Sequence, residues 1–317
     1  MSASADVQLV AGLARRLRER VAPELGSHAG RAHAGGGEGG DVTFAVDAAA
    51  EDELEAFMAG EAPRCAYFSE DRGLVRPDGA ERVLVVDPID GTRPAMAGLE
   101  AACVSVALAP LAGAAPGGGP AMGDVAAACV MEIKSGKRFV SVRGRGLVAD
   151  DPVRLSGNTD LRRLFWTYGL RGRPARATME VLGDLVDASS VGGGTFELGS
   201  ACFDLTRILT GQLDAYVEPG PRMVEEVPGM RAEFERVGDG AVLNNAPYDL
   251  AAAALCVAEG GGVLTDAAGR PLDDRPLLGS GPEHQMSVVA AAGPELHALL
   301  VAEVDRGIAR LAAAQDA

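Results

Sequence analysis

The sequence predicts an α/β protein whose first half is α+β, with antiparallel strands, and whose second half alternates helices and strands. Two patterns support this: β-branched runs separated by turn residues before residue 152, and helical and strand patterns in alternation after it. The chain has 317 residues, whereas one hydrophobic core stops growing near roughly 250–300. We therefore expect two packed domains, 1–152 and 153–317.

The first half contains elements that follow from the spacing of apolar residues. Apolar residues recur at helical spacing between Val7 and Val21, and the helix should end before Pro23. The Gly-rich stretch 27–40 has too little apolar content for a regular element. A loop of this composition beside a site could act as a lid. The predicted order is a helix at 7–21, a mobile loop at 27–40, a helix at 46–58, strands at 82–86 and 101–110, and a hairpin of 124–133 and 137–143.

The second half alternates helical and strand patterns. We predict helices at 176–188 and 200–211, a strand at 213–217, a helix at 249–259 and a strand at 262–265.

The composition excludes several classes of function. Hydrophobic residues make up 47% of the chain, enough to bury a full core. The formal charge is −16, which opposes binding to nucleic acid or to an anionic membrane surface. No apolar run reaches the ~18 residues that span a bilayer, and the N-terminus lacks the apolar core of a signal peptide. We expect a protein without nucleic-acid or membrane partners.

The five cysteines are far apart, and they form no C-x-x-C pair. This pattern predicts buried thiols that act as small hydrophobic side chains, and it agrees with a reducing cytoplasm. We therefore expect a cytoplasmic location.

The segment Val85–Thr92, VVDPIDGT, is the most informative in the chain. A buried strand ends in two carboxylates, Asp87 and Asp90, with Pro88 between them and Gly91 allowing a close turn. Carboxylates beside free backbone N–H groups suit a hard cation such as Mg²⁺ that bridges to a phosphate. The alternative is a strand end in which both acids serve as turn and cap residues.

Three other acidic positions strengthen the metal interpretation when they are taken together. Glu70 follows a short apolar stretch, Asp47 lies near the start of the second helix, and Asp249 opens the helix YDLAAAALCVAEGGG. Each alone has an ordinary explanation as a solvated acid or a helix cap. Their order and spacing are what distinguish them.

With these motifs the chain resembles the inositol monophosphatase family of metal-dependent sugar and polyol phosphatases. The resemblance covers most of the chain, from DVTFAVDAAAE through FSED, VVDPIDGT and LGSACFDLTRILTGQLDAYVEPG to GGGVLTDAAGRPL. It implies a layered αβαβα sandwich of the inositol monophosphatase and fructose-1,6-bisphosphatase type, a homodimer, and sensitivity to Li⁺.

The resemblance also implies a role for individual residues. It implies that a first Mg²⁺ is bound by Glu70, Asp87 and the Ile89 carbonyl, and a second by Asp87, Asp90 and Asp249. The site would hold two or three ions. It gives Asp47, Thr92 and Glu70 to activation of the attacking water, and the Gly91 and Thr92 N–H groups to the phosphate. The residues implied to contact the leaving group are Asp90, Gly199, Ser200, Ala201 and Glu218. As an alternative, Glu218 is an ordinary exposed acid at the end of a strand.

The chain departs from the family pattern around the substrate pocket. Asp71 is the second acid of the usual Glu-Glu pair, Phe196 stands where many relatives have Arg, and Tyr248 replaces a Trp. Arg93 follows the DPIDGT motif, where it could bind a second phosphate or carboxylate or face solvent. An insertion at 219–247, which carries several arginines, could cap the site or extend a dimer contact.

These features predict a Mg²⁺-dependent phosphatase that hydrolyses an inositol phosphate or a related sugar or polyol phosphate by metal-activated water. Alternatives within the enzyme class are fructose-1,6-bisphosphatase, 3′-phosphoadenosine 5′-phosphate phosphatase and histidinol-phosphate phosphatase. Arg93 and the arginines of the insertion are what a second anionic group would require. The alternative outside the enzyme class is a silent relative that binds a phosphorylated metabolite.

Overall fold

The computed structural model describes residues 3–27, 32–36, 42–116 and 118–315. Within these ranges the helices are α1 (Ala3–Val21), α2 (Ala45–Glu61), α3 (Thr92–Ala97), α4 (Ala175–Ser189), α5 (Ala201–Leu209), α6 (Gly220–Glu226), α7 (Met230–Val237), α8 (Pro247–Glu259) and α9 (Pro294–Gln315).

Seven strands from the first half form the larger sheet, in the order β4-β3-β5-β6-β7-β8-β9. They are β3 (Ala66–Ser69), β4 (Gly73–Val75), β5 (Arg82–Asp90), β6 (Cys103–Pro110), β7 (Ala127–Glu132), β8 (Arg138–Val142) and β9 (Leu147–Ala149). Every neighbouring pair is antiparallel except β3 and β5. A separate short hairpin joins β1 (His33–Gly36) to β2 (Val42–Phe44).

Five strands from the second half form the smaller sheet, in the order β11-β10-β12-β14-β13. They are β10 (Phe165–Tyr168), β11 (Gly194–Phe196), β12 (Ala215–Glu218), β13 (Val263–Thr265) and β14 (Val288–Ala291). Strands β10, β11 and β12 run parallel, and β14 pairs antiparallel with both β12 and β13.

The elements stack in five layers because both sheets are apolar on both faces. Helices α1 and α2 cover one face of the larger sheet, and α5 and α8 fill the space between the two sheets. Helices α4, α6, α7 and α9 cover the far face of the smaller sheet. Alternation along β12 shows the arrangement: Tyr216 packs toward α5 and α8, whereas Ala215 and Val217 pack toward α4 and α9. The αβαβα sandwich is therefore confirmed.

Most of the predicted elements are present within one or two residues of their expected bounds. The prediction that the first strand stops at Asp87 is wrong, because Asp87 still pairs with Ser105 and, after an irregularity in the register, Asp90 pairs with Cys103. The predicted loop at 27–40 contains a strand at His33–Gly36; residues 28–31 and 37–41, where the lid was expected, lie outside the described residues. The domain boundary near 152 stays a prediction.

All five cysteines are buried and free, as the sequence predicted. In the described part of the chain, no helix has the length and apolar character needed to cross a membrane.

Candidate active site

Three carboxylates from distant parts of the chain meet between the two sheets. Asp87 and Asp90 come from the end of β5, and Asp249 comes from the first turn of α8. One oxygen of each lies within 4.8 Å of the others. Asp87 and Asp90 are only 2% and 6% exposed, so the cluster is not a solvated surface patch.

Hydrogen bonds from the chain fix the orientation of each carboxylate. Asp87 Oδ1 accepts from the Ile89 N–H at 2.9 Å. Asp90 Oδ2 accepts from Ser200 Oγ at 2.8 Å and from the Cys202 N–H at 2.6 Å, which ties the end of β5 to the start of α5. Asp249 Oδ2 accepts from the N–H of Ala246, the N-cap residue of α8, at 2.6 Å. The three acids are thus held in place by the fold.

The cluster carries more negative charge than its surroundings compensate. Burial raises the pKa of Asp87 well above its usual range, and the nearby charges of Glu70, Asp90 and Asp249 raise it further. Burial also raises the pKa of Asp249 to about 7, with Asp90 adding to the effect. The pKa of Asp90 is raised by burial despite the opposing hydrogen bonds from Cys202 and Ser200. Such a set of converging oxygen ligands fits a hard divalent cation.

Next to the cluster, a hydroxyl and a carboxylate form a second pair. Thr92 Oγ1 lies 3.0 Å from Asp47 Oδ1 and 3.1 Å from the Ile89 carbonyl oxygen, which gives its single proton two possible acceptors. The other Asp47 oxygen accepts from the N–H of Phe44, the N-cap residue of α2, at 2.9 Å. Asp47 therefore caps its helix and contacts Thr92 at the same time.

Gly91 makes the close approach between these parts possible. Its φ is +91°, and an added Cβ would lie 2.5 Å from the Ala101 carbonyl oxygen and 2.8 Å from Ser200 Cβ. No other residue type fits there without a shift of the backbone. The turn into α3 consequently lies directly against the start of α5.

A cavity of about 330 Å³ opens over the carboxylates. Its walls include these predicted site residues: Glu70, Asp87, Ile89, Asp90, Gly91, Thr92, Arg93, Gly199 and Asp249. A smaller space of about 40 Å³ adjoins it and is lined by the predicted residues Ser200 and Ala201. Asp47 is not part of either wall but reaches the site through Thr92.

Glu218 is not at the cavity wall, although the sequence predicted contact with the substrate. Its side chain is fully buried, forms an ion pair with Arg173 at 2.5 Å, and accepts from the Gly220 N–H at 2.8 Å. The alternative of an exposed strand-end acid is also wrong. Arg173 in turn donates to the Arg171 carbonyl oxygen at 2.6 Å, so the ion pair supports the loop that carries Arg171.

Arg171 and Glu197 line both cavities, and the sequence prediction missed both. The Arg171 charge acts to lower the pKa of Asp249, which indicates that its guanidinium lies near the carboxylate cluster. A usable signal was present in Gly169–Pro174, GLRGRP, a short basic and Gly-rich loop between β10 and α4.

The departures from the family pattern also have defined positions. The Asp71 carboxylate accepts from Thr43 Oγ1 at 2.7 Å, and Arg93 lies over the ring of Phe44, 5.5 Å from its centroid, while lining the larger cavity. The arginines of the insertion, expected to serve a second anion, have other partners: Arg222 pairs with Glu226 and Asp305, Arg231 with Glu235, and Arg236 with Glu233.

The layered sandwich and its buried carboxylate cluster are typical of metal-dependent phosphatases. The chain belongs to the inositol monophosphatase family, whose model matches residues 2–309. It is therefore a phosphoric monoester hydrolase of the inositol monophosphatase type, in a family that is metal-dependent and acts on small phosphorylated substrates.

Individual relatives are similar over most of their length. The fructose-1,6-bisphosphatase/inositol-1-monophosphatase of Methanothermobacter thermautotrophicus is 26% identical over 304 residues, 92% of this chain and 95% of that one. The inositol-1-monophosphatase of Mesorhizobium japonicum is 24% identical over 235 residues, 73% and 74% of the two chains. The solved inositol monophosphatase from Anabaena shares the fold, with a TM-score of 0.67 and 17% identity over 96% of both chains.

Proposed function

We propose that the protein is a Mg²⁺-dependent phosphatase that hydrolyses a small phosphomonoester, an inositol phosphate or a related sugar or polyol phosphate. The observation that carries the proposal is the cluster of the buried Asp87 and Asp90 with the half-buried Asp249, whose oxygens converge within 4.8 Å. Like charges buried this closely are costly unless a cation lies among them. Oxygen-only ligands favour Mg²⁺ over softer metals.

The ligands proposed for a first ion are Glu70, Asp87 and the Ile89 carbonyl, and for a second Asp87, Asp90 and Asp249, with two or three ions in all. When bound, Mg²⁺ would neutralise the clustered charge and stabilise the negative charge that develops on the phosphate ester. The raised pKa values of Asp87 and Asp249 support this assignment, because a bound cation would offset the free-energy cost of ionising both acids.

The remaining residues of the site would hold and orient the reactants. Thr92 Oγ1, which donates to Asp47 Oδ1, would accept a proton from the attacking water and pass its own proton to Asp47. Glu70 would assist as a second acceptor. The Gly91 and Thr92 N–H groups would donate to phosphate oxygens, in the manner of backbone amides that bind anions.

The leaving alcohol would lie toward the smaller space, against Gly199, Ser200 and Ala201. Asp90 would accept from an alcohol hydroxyl there, because a carboxylate oxygen is a good partner for the hydroxyl groups of a polyol. Glu218 does not contact the substrate in this proposal. It forms an ion pair with Arg173, which donates to the Arg171 carbonyl oxygen and so supports the loop that carries Arg171.

Phosphate release tests the proposal directly. Purified protein, first treated with EDTA, should release phosphate from at least one member of a metabolite panel when Mg²⁺ is restored, and Asp87→Asn should abolish the release. Asp52→Asn is the matched control, because Asp52 is an exposed acid paired with Arg72 on the surface. Absence of release from every panel substrate, or full activity in Asp87→Asn, would exclude the proposed reaction. Metal binding without turnover would indicate the silent relative instead.

A substrate with a second anionic group is the second candidate, because Arg93 and Arg171 both line the cavity over the carboxylates. Guanidinium groups bind phosphate and carboxylate well. The panel therefore contains fructose 1,6-bisphosphate and 3′-phosphoadenosine 5′-phosphate, which carry a second phosphate. Histidinol phosphate and the inositol phosphates complete it. A preference for the bisphosphates that is lost in Arg171→Ala or Arg93→Ala would favour this candidate, whereas equal rates before and after substitution would exclude it.

Two further properties are proposed on family grounds. We expect Li⁺ to inhibit phosphate release by competing at the second metal position. We also expect a homodimer, which sedimentation of the purified protein would detect.

A further inference from the structure

A second buried acid, Glu51, lies outside the cluster that the proposed reaction uses. It is 2% exposed and follows Asp47 by one turn of α2, on the same side of the helix. Burial raises its pKa to about 7. An acid buried at this cost needs a structural reason, and its hydrogen bonds supply one.

Both oxygens of Glu51 are bonded to the turn that follows β3. Oε2 accepts from Ser69 Oγ at 2.8 Å, and Oε1 accepts from the Asp71 N–H at 3.3 Å. Ser69 is fully buried, and its Oγ also accepts from the Arg72 N–H at 3.4 Å. Glu51 therefore holds the residues on both sides of Glu70, Ser69 and Asp71.

Two contacts of lesser burial support the same turn from the same part of the chain. Thr43, just before α2, donates to Asp71 Oδ1 at 2.7 Å, and Asp52 on α2 accepts from Arg72 Nη2 at 2.7 Å. Asp52 is exposed, so its ion pair contributes little. The hydrogen bond between Glu51 and Ser69 is buried, and hydrogen bonds shielded from water are the stronger kind.

We infer that Glu51 is a positioning residue for the metal site: it locks the turn carrying Glu70 to the helix carrying Asp47. The inference rests on the proposed function, in which Glu70 is a ligand of the first ion and Asp47 contacts Thr92. The two groups come from separate elements, and Glu51 is a buried link between those elements. Loss of the Glu51 hydrogen bonds should leave Glu70 free to move relative to Asp47.

Glu51→Gln tests the inference with little change in volume. A Gln side chain has one acceptor oxygen in place of two, and its NH₂ group would face either Ser69 Oγ or the Asp71 N–H. Loss of a partner that orients a metal ligand costs about 10–100-fold in metal affinity. We expect at least about a tenfold weaker binding of Mn²⁺ to one site of the metal-free protein by titration calorimetry. The half-saturating Mg²⁺ for phosphate release should rise by the same factor, with KM for p-nitrophenyl phosphate unchanged at saturating Mg²⁺.

Asp52→Asn is the matched control, since it removes the charge of the residue next to Glu51 on the same helix and leaves the hydrogen bonds of Glu51 intact. It should bind Mn²⁺ like the wild type. Ser69→Ala removes the other partner of the link, and it carries the test if Glu51→Gln does not fold. Unchanged Mn²⁺ affinity in a folded Glu51→Gln or Ser69→Ala variant would overturn the inference. So would a loss of turnover that saturating Mg²⁺ does not restore. Failure of the wild type to release phosphate would instead reject the proposed function, so the two failures are distinct.

Discussion

Replacing Asp249 with Asn should stabilise the metal-free protein while it destroys the proposed metal site. Burial and the charge of Asp90 raise the pKa of Asp249 from 3.8 to about 7, so ionising this carboxyl in the folded protein costs free energy. The full effect would be about 4 kcal/mol, and because the side chain is only half-buried we expect about 2 kcal/mol at pH 8. Asn can still accept from the Ala246 N–H, so the helix cap is kept.

The sign of this effect follows from proton linkage. The folded protein binds the Asp249 proton more tightly than the unfolded chain, so the free energy of unfolding falls as pH rises from about 4 through 7. The destabilisation is complete above pH 7 and absent below the pKa of the unfolded chain. The gain from Asp249→Asn should therefore be largest at pH 8 and smaller at pH 5.

Urea unfolding in EDTA at pH 5 and pH 8 measures the difference. Asp52→Asn, at an exposed position, should change the free energy of unfolding by no more than about 0.5 kcal/mol at either pH. Mg²⁺ at 100 times its dissociation constant should stabilise the wild type by about 2.7 kcal/mol and the variant by less. A variant that is no more stable than the wild type at pH 8, or a gain that is equal at both pH values, would refute the reasoning.

Three further outcomes are expected. Thr92→Val removes the hydroxyl that contacts Asp47, so it should lower kcat for phosphate release by about 10²-fold or more. The Mn²⁺ affinity measured by calorimetry should be unchanged. A kcat within twofold of the wild type would contradict the proposed role of Thr92. Gly91→Ala should lower the melting temperature and abolish activity, since its Cβ would lie 2.5 Å from a carbonyl oxygen. Glu218→Gln should cost about 3–5 kcal/mol in urea unfolding by leaving Arg173 buried and unpaired, and Glu218→Leu with Arg173→Met should recover much of it.

The sequence was most informative where a pattern is local. The β5 strand and the DPIDGT motif are contiguous, and helix α2 has a clear apolar spacing, so the start of each element was predicted within one residue, although β5 runs four residues beyond its predicted end. Helix α9 has an equally usable spacing in Leu296, Leu300 and Val304, all buried, and the sequence prediction did not include it. Strand β3 is different: its four residues are all buried, so it shows no alternation from which a strand could be recognised.

The site was harder to predict where partners come from separate elements. Motif order identified Asp87, Asp90 and Asp249, which the structure brings together. It did not identify the pairing of Glu218 with Arg173, because nothing local to either residue indicates that they meet in the core. For the same reason Glu51 reads from the sequence as one more acid on an acidic helix, and only packing reveals that it is bonded to Ser69.

The net charge of −16 takes on a specific meaning at the carboxylate cluster. Most acids on the surface cost little because water solvates them, whereas Asp87, Asp90 and Asp249 share a buried site in which each raises the free energy of ionising another. Backbone N–H groups and the charge of Arg171 offset part of this cost. The remainder is a destabilisation that a bound cation would relieve, so the same electrostatic energy that weakens the metal-free fold would favour metal binding. Substitutions in this cluster that stabilise the metal-free protein should therefore weaken metal binding.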